Sequence, residues 1–517
     1  MKNIRIHLLL SLSVFFLITC TNPKTDNSLP RSTPEEEGVS SQSILSFVEA
    51  ASKEADEIHS FMLLRHGKVI AEGWWNPYRP DLKHTLYSLS KSFTSTAVGF
   101  AVQEKLLKVD DKVISFFPEE VPDTISTNLA QMTVKDLLTM SAGMDPDPTF
   151  RVAGLNGSWV KIFFRTPVLN EPGTKFLYNS LATFMLSAIV QKVTGEKVID
   201  YLTPRFFEPL GITGVDWEVN SQGINTGGWG LRLKTEDIAR AGQFYLQKGK
   251  WHGKQLLSKE WIEEATTFKI DQAPEAPQST KDSSDWMQGY CYQFWRCRHN
   301  AYRGDGAYGQ YMIVLPDLDA VIAITSQTGD MQKELNLVWQ YLIPGFAENK
   351  LHPDQAAYSG LQKRLSSLEL PVYYKKSSSP LSKDISGKTY LFESNEKQLQ
   401  SLKFEINDTV STLFMRKNST DYALKFVTGS WYFDVTELPG PNLVPNKNID
   451  ILRPFKVAGS YTWLDDNSVE FTLRYIESPH TETITCVFLD KKVGVSFKNI
   501  FTPKDDIKLI EGKIEKE

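Results

Sequence analysis

The chain has 517 residues, 41% of them hydrophobic and 23% charged, with a formal net charge of −5. This is ordinary globular composition, long enough for more than one domain and for a sizeable core in either half. The mildly acidic balance, without any basic run, excludes an electrostatic footprint for nucleic acid.

At the N-terminus, Lys2 and Arg5 precede an apolar stretch from Leu8 to Ile18. About eleven residues are too few to span a bilayer but suit the h-region of a signal peptide. Cys20 follows in Leu17-Ile18-Thr19-Cys20, and polar residues come next, as in a bacterial lipobox. Thr19 stands where that motif usually carries Gly, Ala or Ser. Residues 1–20 are thus expected to direct export, with Cys20 lipidated and residues 21–30 a tether. That predicts a periplasmic or cell-envelope lipoprotein of a bacterium; plain secretion with an incidental Cys20 is the alternative.

Residues 31–350 read as one compact α/β unit. Phe61 to Glu72 predicts a strand, a His66-Gly67 turn and a second strand. Over 88–107, apolar residues (Phe93, Ala97, Val98, Phe100, Ala101, Val102, Leu106) fall on most sides of a helix, which marks it as buried and central. A further helix is predicted from Ser180 to Thr194, stopped by Gly195. Cys291 and Cys297 sit in a predicted strand, roughly 20 Å apart and so beyond disulfide reach. With Cys486 they are expected to be free and packed. Strands at 311–315 and 320–325 surround a Pro316-Asp317 turn, and a helix near 331–342 closes the unit.

Residues 351–384 hold a polar helix near 355–369 and a linker, Lys375 to Pro380. From 385 to 517 the sequence breaks into short alternating runs with regular turn signals, such as Val469 to Tyr475 and Thr483 to Leu489. That pattern predicts a small barrel or sandwich. It holds no catalytic constellation.

Ser88 and Lys91 stand three apart at the start of the buried helix, so their side chains are neighbours. A serine hydroxyl needs a base to become a nucleophile. A lysine serves if burial and a helix N-terminus disfavour its charge. Ser-x-x-Lys recurs at Ser158–Lys161 and Ser394–Lys397, but only Ser88 opens a long buried helix. Tyr178, after the Pro172-Gly173-Thr174 turn and at the mouth of the Ser180 helix, is placed to relay a proton if a nearby cation lowers its pKa. The chain lacks a Gly-x-Ser-x-Gly elbow, zinc-ligand spacing, HExxH and CxxC, so neither a Ser-His-Asp triad, a metal nor another cofactor is expected.

These segments together resemble the penicillin-binding and class C β-lactamase-like serine hydrolases, nearest the branch of carboxylesterases and nylon-oligomer hydrolases. Ser88-Leu89-Ser90-Lys91 matches the first motif, and Tyr178-Asn179-Ser180 the second. Met132 to Met144 is similar to the family's LLTHTSG segment, and Gly227 to Arg240 to its GGLxST segment. The resemblance implies an antiparallel sheet flanked by helices, a helical subdomain, and a C-terminal lipocalin-like accessory domain. It implies a two-step acyl transfer at Ser88 with Lys91 and Tyr178 handling the proton, Ser180 and Asn179 in support, and an oxyanion held by the backbone of Ser88 and Ala307. The third motif falls on Gly304-Asp305-Gly306, where Gly304 replaces the family's Lys or His; Ser180 likewise replaces an Asn. Without that cation a substrate carboxylate loses a charge-assisted contact, and Arg303 should point to the opposite strand face. A small or peptide-like ester or amide is therefore the expected substrate. The alternatives are a penicillin-binding, β-lactamase or D-aminopeptidase activity, and a sensor that uses the same fold without turnover.

Overall fold

A computed structural model describes residues 28–153, 155–444, 449–503 and 507–515. Residues 1–27, with Cys20, lie outside the described residues, and so do the export and lipidation readings. A six-stranded antiparallel sheet forms the centre. Its strands are β1 (Ile58–Arg65), β2 (Lys68–Trp74), β3 (Trp295–Arg296), β4 (Tyr302–Gly306), β5 (Gln310–Leu315) and β6 (Ala320–Ser326), in the order β2-β1-β6-β5-β4-β3. The β1–β2 hairpin turns on His66 and Gly67, both left-handed.

The main helices are α1 (Ser41–Glu54), α2 (Ser90–Gln103), α3 (Ser180–Thr194), α4 (Thr235–Leu246) and α5 (Met331–Leu337). Side chains alternate along β1, so Phe61 and Leu63 meet Ile44, Phe47 and Val48 of α1 on one face. Met62 and Leu64 belong to the core on the other face, with Phe93 of α2 and Phe244 of α4. With both faces covered, the central strands read as unbroken apolar runs. Short helices at Val134–Leu138 and Trp159–Arg165 pack around α3 as the helical subdomain.

Two elements depart from the sequence reading. The buried helix starts at Ser90, and Ser88 sits before it in a 3-10 turn, Tyr87–Leu89. Cys291 to Cys297 is not one strand: the Cys291 N–H donates to the Phe294 carbonyl 2.9 Å away, and Gln293 is left-handed. The cause is Gln293, whose buried amide nitrogen donates to the carbonyls of Leu137 and Leu138 while its oxygen accepts from Thr183. Those bonds tie the segment to the helical subdomain instead of a ladder. Cys291, Cys297 and Cys486 are nevertheless free and buried, as expected. The linker is not loose either, since the Lys375 and Lys376 N–H groups donate to Thr462 Oγ1.

The C-terminal part is a nine-stranded closed barrel. In chain order its strands are β7 (Thr389–Phe392), β8 (Leu399–Glu405), β9 (Ser411–Lys417), β10 (Thr420–Thr428), β12 (Phe455–Trp463), β13 (Ser468–Tyr475), β14 (Thr481–Leu489), β15 (Lys492–Lys498) and β16 (Ile510–Ile514). A further strand, β11 (Tyr432–Thr436), pairs with β12 outside the ring. A short parallel contact of Val427 with Ser460 closes the ring, and Phe404, Phe426, Phe471 and Ile484 fill it.

Barrel and sheet are joined by a buried ion pair. Arg474 of β13 donates to both carboxylate oxygens of Glu57, at 2.6 and 3.1 Å. The guanidinium is almost fully covered, its side chain 6% exposed. Glu57→Gln leaves that buried cation unpaired and is expected to cost about 3 kcal/mol, read as a lower midpoint in denaturant. Glu57→Gln combined with Arg474→Met should recover most of the loss, and equal destabilisation in single and double variants would contradict the pairing.

Candidate active site

Three segments from distant parts of the sequence meet at Lys91. Helix α2 carries it one turn beyond Ser88, and the side chain is 1% exposed. Its Nζ lies 2.9 Å from Ser88 Oγ, 2.9 Å from Ser180 Oγ and 2.8 Å from the Gly228 carbonyl. Burial pulls its pKa down to about 7, against the charges of Asp147 and Asp305, which favour the ammonium. A neutral amine has two N–H donors and one lone pair. The Gly228 carbonyl accepts only, and Ser180 readily accepts the second donor. The lone pair is then left for the Ser88 O–H, which is the geometry of general-base activation.

The second-motif segment is held from beneath by the Met132–Met144 stretch. Gly173 N–H donates to the Ser141 carbonyl and Leu177 N–H to that of Met140, at 2.9 and 2.8 Å. Tyr178 is thereby set at the site, its ring 4.8 Å from Lys91 Nζ and stacked on Trp295. Burial raises the phenol well above its ordinary pKa, the nearby Asp305 charge adds to this, and a hydrogen bond with Ser88 opposes it. Tyr178 is therefore a neutral hydroxyl, suited to passing a proton and not to acting as a standing phenolate. Asn179 has another job. Its side-chain oxygen accepts from the Leu181 and Ala182 N–H groups and caps α3, while Ser180 is the side chain that touches Lys91.

Strand β4 forms the opposite wall, and its glycines are explained by space. A Cβ at Gly304 would meet Leu89 Cδ1 and Ser92 Oγ at 2.5 Å, and one at Gly306 would meet the Leu86 carbonyl oxygen at 1.9 Å. The strand thus packs backbone-close on the turn that carries Ser88, with Ala307 at its end. No cation fits at position 304. Arg303 and Asp305 point the other way and pair with each other, Nη2 to Oδ2 at 2.8 Å, both buried. Burial raises the Asp305 carboxyl, while Arg303 and Lys91 hold it down.

Sequence reasoning passed over Asp147, Trp295 and the Gly228 carbonyl. Gly228 lies within the Gly227–Arg240 segment, but a backbone acceptor leaves no mark on residue type. Asp147, in Asp145-Pro146-Asp147, looks like a turn residue, and it does accept from Thr149 N–H and Oγ1.

A family model described as Beta-lactamase matches residues 56–342. The 6-aminohexanoate-dimer hydrolase of Paenarthrobacter ureafaciens is 25% identical over 289 residues, covering 52% of this chain and 73% of that protein. A putative D-alanyl-D-alanine carboxypeptidase of Escherichia coli K12 is 29% identical over 143 residues, 25% of this chain and 33% of that protein. Among solved structures, EstCE1, a hydrolase with promiscuous acyltransferase activity, aligns with a TM-score of 0.49 at 16% identity, covering 58% of this chain and 98% of that one.

Three outcomes are expected. The rate of ester hydrolysis should fall below about pH 7 as Lys91 takes up a proton. Asp147→Asn removes a charge that favours the ammonium, so its acidic limb should move to lower pH in a pH–rate profile. A limb that stays put or moves up would contradict Lys91 as the titrating base. Gly306→Ala must push β4 off the Leu86 carbonyl and should lower stability by about 1–3 kcal/mol in thermal unfolding.

Proposed function

This chain belongs to the beta-lactamase family of serine hydrolases, and from that premise we propose that it cleaves an ester or amide through an acyl-enzyme on Ser88. The observation that carries the reading is the buried Lys91 Nζ 2.9 Å from Ser88 Oγ, with Ser180 Oγ and the Gly228 carbonyl as its two other partners. Ser88 Oγ attacks the carbonyl while Lys91 takes its proton. The oxyanion is held by the backbone N–H groups of Ser88 and Ala307. Tyr178 passes the proton to the leaving alcohol or amine, and water assisted by Tyr178 and Lys91 then hydrolyses the acyl-enzyme.

The wall around Ser88 favours neutral or amine-bearing substrates over those with a free carboxylate. Position 304 has no room for a cation, and Arg303 is already engaged by Asp305. β-Lactams and peptide C-termini therefore lack their usual anchor here. We further propose that the chain acts outside the cytoplasm, tethered through a lipid on Cys20, on the strength of the N-terminal sequence.

Ser88→Ala should abolish labelling by a fluorophosphonate and reduce p-nitrophenyl ester hydrolysis by at least a thousandfold, with unfolding unchanged. Labelling of the wild type without turnover of any ester or amide would favour a sensor. Equal labelling of wild type and Ser88→Ala would remove Ser88 as the nucleophile.

A further inference from the structure

The segment just before the nucleophile, His84 to Tyr87, is gripped by one turn of the barrel. That turn joins β13 to β14 and spans residues 476–480. The Thr85 N–H and hydroxyl both donate to the Glu477 carbonyl, at 2.9 and 3.1 Å. Tyr78 Oη donates to the Ser478 carbonyl at 3.1 Å. The Tyr87 hydroxyl is hydrogen-bonded to His480 Nε2, with both residues buried. The turn is rigid in itself: Ser478 N–H donates to the Tyr475 carbonyl, and His480 N–H to Ser478 Oγ.

His480 also reaches the other side of the nucleophile. Its ring packs edge-on against Tyr308, centroids 5.5 Å apart, and Tyr308 packs edge-on against Tyr87 at 5.9 Å. Tyr308 follows Ala307, so one imidazole contacts the neighbours of both groups assigned to the oxyanion. Tyr87 and Tyr308 are both left-handed, φ 46° and 69°. Such non-glycine backbone costs on the order of 1–3 kcal/mol and persists only where its surroundings enforce it. At Tyr87 the contacts that hold the ring are the hydrogen bond and ring packing of His480, together with a backbone hydrogen bond from Leu443 to the phenol, and the next residue of that turn is Ser88.

We propose that His480 of the barrel is a positioning residue of the hydrolase site, holding Tyr87 and Tyr308 so that the Ser88 and Ala307 N–H groups converge on the oxyanion. The inference rests on Ser88 being the nucleophile. Neutral imidazole accepts the Tyr87 O–H at Nε2, and no proton moves during the reaction. The barrel thereby completes the active site and is more than an appended module.

The test compares full-length wild type, His480→Ala, His480→Gln and Tyr87→Phe. Each is assayed by steady-state ester kinetics, by the rate of fluorophosphonate labelling at Ser88, and by thermal unfolding. His480→Ala should lower kcat and the labelling rate at least tenfold, with KM within twofold. His480→Gln, which keeps a hydrogen-bonding group, should recover most of that loss. Tyr87→Phe keeps the ring and removes the hydroxyl with its bonds to His480 and to the Leu443 backbone, so it should reproduce a large part of the effect with a native unfolding transition even if His480→Ala folds poorly. Rates within twofold of wild type in Tyr87→Phe, or in a folded His480→Ala, would overturn the proposal. So would a loss in His480→Ala that His480→Gln does not relieve. Wild type that does not label at Ser88 would instead strike the nucleophile assignment, and the positioning role with it.

Discussion

Everything in the site depends on keeping one amine out of water. In the proposed mechanism Lys91 is useful as a base only because it is buried, and burying a lysine is tolerable only if its N–H groups are satisfied. The chain meets that condition with a serine hydroxyl from α3 and a carbonyl from the Gly227–Gly230 loop. Those two acceptors fix where the third direction points, and that direction is Ser88. The close packing of β4, the cap at Asn179 and the prop under the Tyr178 segment all serve to bring the partners of this one nitrogen within reach.

The constraint also accounts for the altered motifs. At position 180 a shorter polar side chain does the work expected of an amide, since what Lys91 requires is an oxygen at 2.9 Å and not a particular residue. At position 304 the loss of a cation goes with a tight strand-to-turn contact, which leaves no volume for any side chain. The charge is moved across the strand into the Arg303–Asp305 pair, where it is neutralised.

Much of this was legible in the sequence because it is local or periodic. The Ser180–Thr194 helix carries its own cap and its own Gly195 stop, and the structure has those ends. The central strands announced themselves as apolar runs, and the C-terminal strands as short alternating ones. What was not legible depends on partners far along the chain. Gln293 broke a predicted strand because its amide is satisfied by Leu137, Leu138 and Thr183. His480 is as ordinary in sequence as any other histidine, and only the fold places it beside Tyr87. Nor could composition say that the linker residues Lys375 and Lys376 would be pinned to Thr462.

The bond from Thr85 to Glu477 spans 392 residues. Contacts of such separation are the last that a growing chain can make, because one partner is synthesised long after the other. The lysine and serine come together early, from neighbouring turns. The turn of residues 477–480 that packs on Thr85 and Tyr87 joins them only when nearly the whole polypeptide has emerged. Length is therefore part of this corner of the fold: a copy that stops short of residue 480 keeps the Ser-x-x-Lys letters without the turn that packs on Tyr87.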